Sequence, residues 1–287
     1  MGNITTALCS VLLVLAASAA ETDYCALSCN GEENLMCRRQ NCSPVPGCKE
    51  QPMTDELRQR VVDIHNKLRN RMAIGEEVNY KNTISNMKQI SYDPELEKLA
   101  QCHANECIFS GQEVHDRCIR TGKFEYVGQN INIVSDVDFY DEWLRPNYTE
   151  TMILSWYNEI VLMDRSNYAS FTDKLKHDVD KDEQVGHFAQ VVWGDTHKIG
   201  CARASGVTGD ASHKHGLIFI CNYAPGLMHG ESVFEAGTPC SKCPKDFRCS
   251  TEYRGLCEDV KNESSKVSCG FISMIVFIFG IFWLCHR

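Results

Sequence analysis

The chain has 287 residues and carries 29 basic against 38 acidic side chains, a formal net charge of −9. That balance excludes a duplex nucleic-acid binder, which needs a basic face to displace phosphate counterions. Its 17 cysteines argue equally against a reducing compartment, where thiols at this density would not persist as disulfides.

Residues 7–17 form an apolar stretch that ends in Ser18-Ala19-Ala20, small side chains suited to signal-peptidase cleavage before Glu21. Residues 1–20 are therefore read as a signal peptide and the mature product as secreted. Setting aside Cys9, Cys269 and Cys285 leaves 14 cysteines, an even number that fits seven disulfides. Residues 21–52 hold five of them without any sustained hydrophobic period and read as a cysteine-rich N-terminal arm.

A different pattern starts at Thr54. Leu57, Val61, Ile64, Leu68 and Met72 recur at helical spacing behind a Thr cap and two acids that suit the helix dipole. Asn66 and Arg69 fall on this helix, where capping of nearby loops or surface pairing is expected. Residues 73–91 read as a long polar loop. Asp93-Pro94 then opens a second helix whose one face bears Leu96, Leu99, Ala100, His103 and Cys107. Residues 128–134 alternate as a strand does, and Met152, Trp156, Ile160 and Met163 predict a third helix bearing Glu159.

In the acidic run 173–183, Asp178, Asp180 and Asp182 imitate the start of a calcium loop, but Glu183 and Ala189 stand where that loop needs Gly and Glu. Residues 189–193, Ala-Gln-Val-Val-Trp, predict a short buried strand with His187 at its mouth. Residues 199–204 and 217–223 flank the turn-rich stretch 206–216 as an antiparallel hairpin. Helices and antiparallel strands thus interleave in one α+β domain, residues 53–236, with no repeating βα unit and no internal repeat.

Residues 237–258 form a small four-cysteine, hinge-like unit. Cys240-x-x-Cys243 invites a zinc reading, but Cys249 and Cys257 lack a second close spacing, and outside the cell local disulfides are expected instead. Residues 259–287 are a linker and a hydrophobic tail, apolar from Val267 to Cys285. The tail fits a removed glycolipid-anchor signal or a transmembrane span, so that the product is secreted or held at the cell surface. Asn41, Asn147 and Asn262 each begin a glycosylation triplet.

Six segments in order give the chain a family likeness. They are His65-Asn66-Lys67-Leu68-Arg69, Val114-His115-Asp116-Arg117-Cys118, Gly128-Gln129-Asn130, Trp156 to Glu159, Gly186 to Trp193, and Cys221-Asn222-Tyr223-Ala224-Pro225-Gly226. Together these resemble the CAP superfamily, in its antigen 5 or venom-allergen branch. The resemblance implies an α-β-α sandwich with a three- or four-stranded antiparallel sheet between helices. It implies a cleft formed by His115, Gln129, Glu159 and His187, in which His115 and His187 are candidate ligands for Zn2+. Gln129 stands where many CAP proteins carry glutamate; an amide is a weak ligand and no base at neutral pH. The resemblance further implies bridges Cys25–Cys37, Cys29–Cys118, Cys48–Cys107 and Cys201–Cys221, which leaves Cys42 with Cys102 to complete the core.

The function expected on this basis is that of a secreted, non-enzymatic venom-allergen-like effector. Its partner would be an extracellular protein, or a lipid or sterol ligand. No activated nucleophile accompanies the cleft, so no catalytic residue is assigned. Two alternatives stand beside this reading: a divalent-metal-dependent protease or hydrolase using the histidines, and a surface module anchored to a membrane by the tail.

Overall fold

The computed structural model describes residues 22–109, 115–135, 145–176, 184–208 and 215–261. The signal segment, the run around Asp178, Asp180 and Asp182, Asn262 and the hydrophobic tail lie outside them. Among the described residues no helix is long and apolar enough to cross a membrane.

Local sequence signals set the helix starts. Thr54 Oγ1 accepts the Leu57 N–H at 3.2 Å and opens α2, Asp55–Ala73. Asp93 Oδ1 accepts the N–H groups of Glu95 and Leu96, and Pro94 fills the first turn of α3, Pro94–Ala104. Among the described residues the other α-helices are the short α1, Leu35–Arg38, then α4, Pro146–Asn158, and α5, Gly186–Val191.

The strands are β1 Cys48–Gln51, β2 Ser91–Tyr92, β3 Gly128–Ser135, β4 Lys198–Val207 and β5 His215–Ala224. They form one sheet in the order β1-β4-β5-β3, antiparallel throughout, with the two-residue β2 alongside β4 in parallel. Alternation along β5 divides the core in two. Leu217, Phe219, Cys221 and Tyr223 face a large cluster with α2, α4 and α5, while Ile218 and Ile220 face a smaller one built on Ala100 and Ala104 of α3. Helices therefore cover both faces, giving the α-β-α sandwich. Gly200 permits the closest contact between layers, since a Cβ there would lie 2.1 Å from the Glu97 nitrogen.

Cystines fasten the N-terminal arm to this body through Cys29–Cys118, Cys42–Cys102 and Cys48–Cys107, with Cys25–Cys37 closing the arm on itself and Cys201–Cys221 joining facing residues of β4 and β5. Near the end of the described chain, β6 Phe247–Cys249 and β7 Cys257–Asp259 form a small hairpin with Cys240–Cys249 and Cys243–Cys257. These cysteines are committed to disulfides, which removes them as zinc ligands. The unit docks on the body: Gln89 N–H donates to the Cys257 carbonyl and Cys257 N–H to the Met87 carbonyl, both at 2.8 Å, and Leu256 is fully buried.

One expectation is corrected and another is narrowed. Residues 189–193 do not form a strand; Gly186–Val191 is helical, with Ala189 N–H donating to the Val185 carbonyl and Val192 N–H to Phe188. The run from Phe188 to Trp193 is buried on every side, so it carries no period that separates helix from strand. Of the two roles expected of Arg69, loop capping and surface pairing, it takes the first, from the interior. It is fully buried and donates to the carbonyls of Lys88, Val191, Trp193, Gly194 and Thr196. Asn66 is buried too and caps a loop as expected, exchanging hydrogen bonds with both backbone groups of Ile90.

Burial lowers the Arg69 pKa to about 9, still above neutral, so the guanidinium keeps its charge and the carbonyl cage compensates it. Arg69→Met should cost roughly 3–5 kcal/mol in denaturant unfolding, because several carbonyls lose their donor at once. Arg69→Lys should fall between, since an ammonium has fewer donors to share.

His65 is also fully buried. Its Nδ1 donates to the Val61 carbonyl at 2.7 Å, so Nε2 is the bare nitrogen and accepts the Tyr223 hydroxyl at 2.9 Å. Burial lowers its pKa to about 4 from 6.5. The unfolded histidine thus takes up a proton first, and stability present above pH 6.5 is lost as pH falls toward 4. Thermal melts should show His65→Gln losing less stability than the parent between these limits, by about 3 kcal/mol at full effect.

Candidate functional site

The cleft forms where β3, the start of α5 and the loop carrying His115 meet. Gln129 lies on β3 in register with Asn222 of β5, and His187 is the second residue of α5. Glu159 caps the C-terminal end of α4. His115, Gln129 and His187 line a common cavity of about 430 Å³. The His115 and His187 ring centroids are 6.5 Å apart. Two imidazoles bound to one zinc at about 2 Å would place their centroids roughly 5–6 Å apart, a small side-chain rotation away.

Each group is held by others. His187 Nδ1 meets Glu159 Oε1 at 2.7 Å, and the Phe188 N–H donates to Glu159 Oε2 at 3.0 Å. Both carboxylate oxygens are thereby engaged behind the imidazole, Nδ1 is the protonated nitrogen, and Nε2 has no hydrogen-bond partner among the described residues. Trp156 supports the same ring, with centroids 5.9 Å apart. Gln129 is fixed at both ends: Oε1 accepts the Asp116 N–H at 3.2 Å, and Nε2 donates to Asn222 Oδ1 at 3.0 Å. His115 is exposed at the cleft, with its ring beside that of His187. Desolvation first, then the His187 charge, lowers its pKa and favours the neutral imidazole that a metal requires.

Close backbone approach forms the floor. A Cβ on Gly128 would fall 1.8 Å from Gln190 Oε1, and one on Gly226 would fall 2.3 Å from the Gly128 nitrogen. Gln190 ties this floor to its surroundings, accepting the Leu227 N–H at 2.9 Å and donating to Thr196 Oγ1 at 3.1 Å. Asn130 Nδ2 reaches the His187 carbonyl at 3.0 Å and the Tyr223 hydroxyl at 3.4 Å, so the cleft is wired to buried His65.

The sequence reading missed part of the lining: Asp173, Gln184, Gln190 and His229. His229 Nε2 lies 3.1 Å from Asp173 Oδ2 at the rim. Asp173 begins the acidic run noted in the sequence, but nothing in that run's spacing relates it to a histidine 56 positions later. Only the return of the chain after β5 brings the two together.

A second cluster, His103, Glu106 and Asp116, adjoins His115 across a smaller cavity of about 290 Å³. It is charge-compensated. Arg38 pairs with Asp116, and Glu106 bonds His103 Nδ1 at 2.6 Å with Arg39 at 3.8 Å. With two guanidinium groups against it, this cluster braces the arm to the loop of His115 and is a poor host for a cation. Of the glycosylation triplets, Asn41 is exposed on the arm, and Asn147 is exposed in the first turn of α4 with Thr149 buried.

A cystine-stapled α-β-α sandwich with an imidazole pair at one end of its sheet defines a class of small secreted proteins. The family model for CAP, the cysteine-rich secretory protein family, matches residues 62–223, and the chain belongs to that family as a venom allergen 5-like member. It is 35% identical over 230 residues to venom allergen 3 of Solenopsis invicta, across 76% of this chain and 92% of that protein. It is 30% identical over 239 residues to a cysteine-rich venom protein of Tityus serrulatus, across 82% of this chain. The chain spans only about half the length of that scorpion relative, 54%.

Among solved structures, BmVAL-1 superposes with a TM-score of 0.57 at 28% identity, over 72% of this chain and 96% of its own. NaASP2, crystallised with Zn2+, superposes with a TM-score of 0.53 at 27% identity, over 75% and 99%. The venom proteins it matches and its disulfides place the chain outside the cell.

Nitrogen-15 NMR of the imidazoles should find His187 as the Nδ1–H tautomer with a slowly exchanging proton. Glu159→Gln should weaken that signature and cost about 1–2 kcal/mol of stability, as expected for a partly buried charged hydrogen bond. An Nε2–H tautomer in the parent protein would sink the assignment.

Proposed function

We propose that the protein is a non-enzymatic extracellular effector that binds a partner protein at the histidine cleft, with a divalent cation held by His187 Nε2 and His115. The engagement of Glu159 carries this reading. With one oxygen on His187 and the other on a backbone N–H, the carboxylate orients a ligand histidine, and it is not left free as a base in the cleft. Gln129, likewise bonded at both ends, contributes an uncharged rim. The donor set suits zinc: two neutral imidazoles, with open positions on the cleft side for water or a partner's carboxylate. The zinc recorded with NaASP2 supports the choice of metal.

A metal-assisted hydrolase is the second reading, because a carboxylate on Nδ1 also suits an imidazole that accepts a proton from water. Calorimetry with Zn2+ and peptide- and ester-cleavage assays distinguish the two. Zinc should bind the parent saturably and at least tenfold more weakly to His187→Ala, while cleavage stays at the background rate. Turnover that vanishes on chelation and in His187→Ala would establish the hydrolase instead, and zinc binding unaffected by His187→Ala would remove the metal from this cleft.

A further inference from the structure

The first turn of α4 holds the triplet Asn147-Tyr148-Thr149, which takes no part in lining the histidine cleft. The fold treats its three side chains differently. Asn147 is exposed; its Oδ1 accepts from Arg60 Nη1 at 3.3 Å, and its Nδ2 has no hydrogen-bond partner among the described residues. Tyr148 is half-buried and packs against the large core cluster. Thr149 is fully buried, and its hydroxyl oxygen has no hydrogen-bond partner among the described residues.

Thr149 is the anomaly. A hydroxyl shut away from water without a partner destabilises the folded state, because it gives up its bonds to water and regains none. Valine has the same branched shape, nearly the same helix propensity and no polar atom, so folding alone favours valine at this place. A helical threonine can bond the carbonyl four residues back, as Thr151 does at the Asn147 carbonyl at 3.3 Å, but Thr149 makes no such bond. Its polar atom therefore serves something other than the folded state.

Before folding, the hydroxyl has a use. It is the third member of an asparagine acceptor triplet, the group that separates such a triplet from any other exposed asparagine. The disulfides and the venom proteins it matches put the chain on the secretory route, where these triplets are modified. The triplet Asn41-Cys42-Ser43 lacks the same signature: Ser43 is exposed, so its hydroxyl meets water and its presence needs no further reason.

We infer that Asn147 carries an N-linked glycan and receives it before α4 packs onto the core. A transferase must reach the amide and the hydroxyl of one triplet together, and the folded chain shows it the amide alone. In the transfer, Asn147 Nδ2 bonds C1 of the first sugar of a lipid-pyrophosphate-linked oligosaccharide. The bond from C1 to the pyrophosphate oxygen breaks, the lipid pyrophosphate leaves with its electron pair, and one amide proton passes to a base on the transferase. The product suits the fold, since Asn147 is exposed and bonds Arg60 through its oxygen, which the linkage leaves intact. None of this depends on a metal in the histidine cleft.

Glycopeptide mass spectrometry of the full chain secreted from animal cells should find Asn147 occupied in most molecules. Thr149→Val and Asn147→Gln should each empty the site, while Thr149→Ser keeps it. Stability is compared between two chains that both lack this glycan: Asn147→Gln with Thr149→Val should melt about 2–4 °C above Asn147→Gln alone, because the sealed hydroxyl is gone. Timing is read with microsomal transferase and a lipid-linked donor, which should modify Asn147 in the reduced, unfolded chain at least tenfold faster than in the folded, unglycosylated one. An empty Asn147 in the secreted protein, equal modification of the folded chain, or a double variant that melts at or below Asn147→Gln would overturn the inference.

Discussion

The buried guanidinium of Arg69 is the constraint on which the rest of this structure depends. It projects from the centre of α2 and gathers carbonyls from two segments, at residue 88 and at residues 191–196, which the Lys88 N–H also ties together by donating to the Gly194 carbonyl. The second segment follows directly on α5, so its position sets that of His187. Bury a charge here and it must find acceptors from every side; the backbone supplies them by turning around it. The same capture holds residues 88–89, beside which the four-cysteine unit docks.

From that anchor the histidine cleft and the groove beside Tyr253, between α2 and the four-cysteine unit, are built differently. The histidine cleft is a place where hydrogen bonds have been used up: Glu159, Gln129, Gln190 and Asn130 each bond in at least two directions, and the freedom left is on the imidazoles. Such rigidity suits binding with little cost of ordering. The charged residues lining the groove beside Tyr253 are mainly acids, of which Glu258 is paired with Arg248. Disulfides serve both, tying the arm to the loop of His115 through Cys29–Cys118 and shaping the wall of the groove through Cys243–Cys257.

Polar residues within apolar patterns carried more than their spacing disclosed. His65, Asn66 and Arg69 lie on one helix whose hydrophobic face was evident, and all three are buried with it. A helix face read from apolar residues alone is too narrow here, because long polar side chains enter the core when the core itself offers backbone partners. Gln129 shows the same effect at the cleft. As an isolated side chain it is a weak ligand, but between Asp116 and Asn222 it is a spacer that holds the loop of His115 against the sheet.

What the sequence determined by itself was local. The caps at Thr54 and Asp93, the alternation along β3 and β5 and the hairpin between β4 and β5 each arise from interactions within a few residues or from a two- or 3.6-residue period. Recognition of the family named His115, Gln129, Glu159 and His187 as neighbours, which spacing alone does not convey. Tertiary structure decided the rest: that residues 186–191 are helical, that Arg69 is internal, that Asp173 and His229 join the rim, and that a groove exists beside the four-cysteine unit. These depend on which distant segments compete for the same buried donors and volume. A run apolar at residues 188–193 but for Gln190, and buried throughout, shows no period of its own, and Arg69 holds the carbonyls at its end.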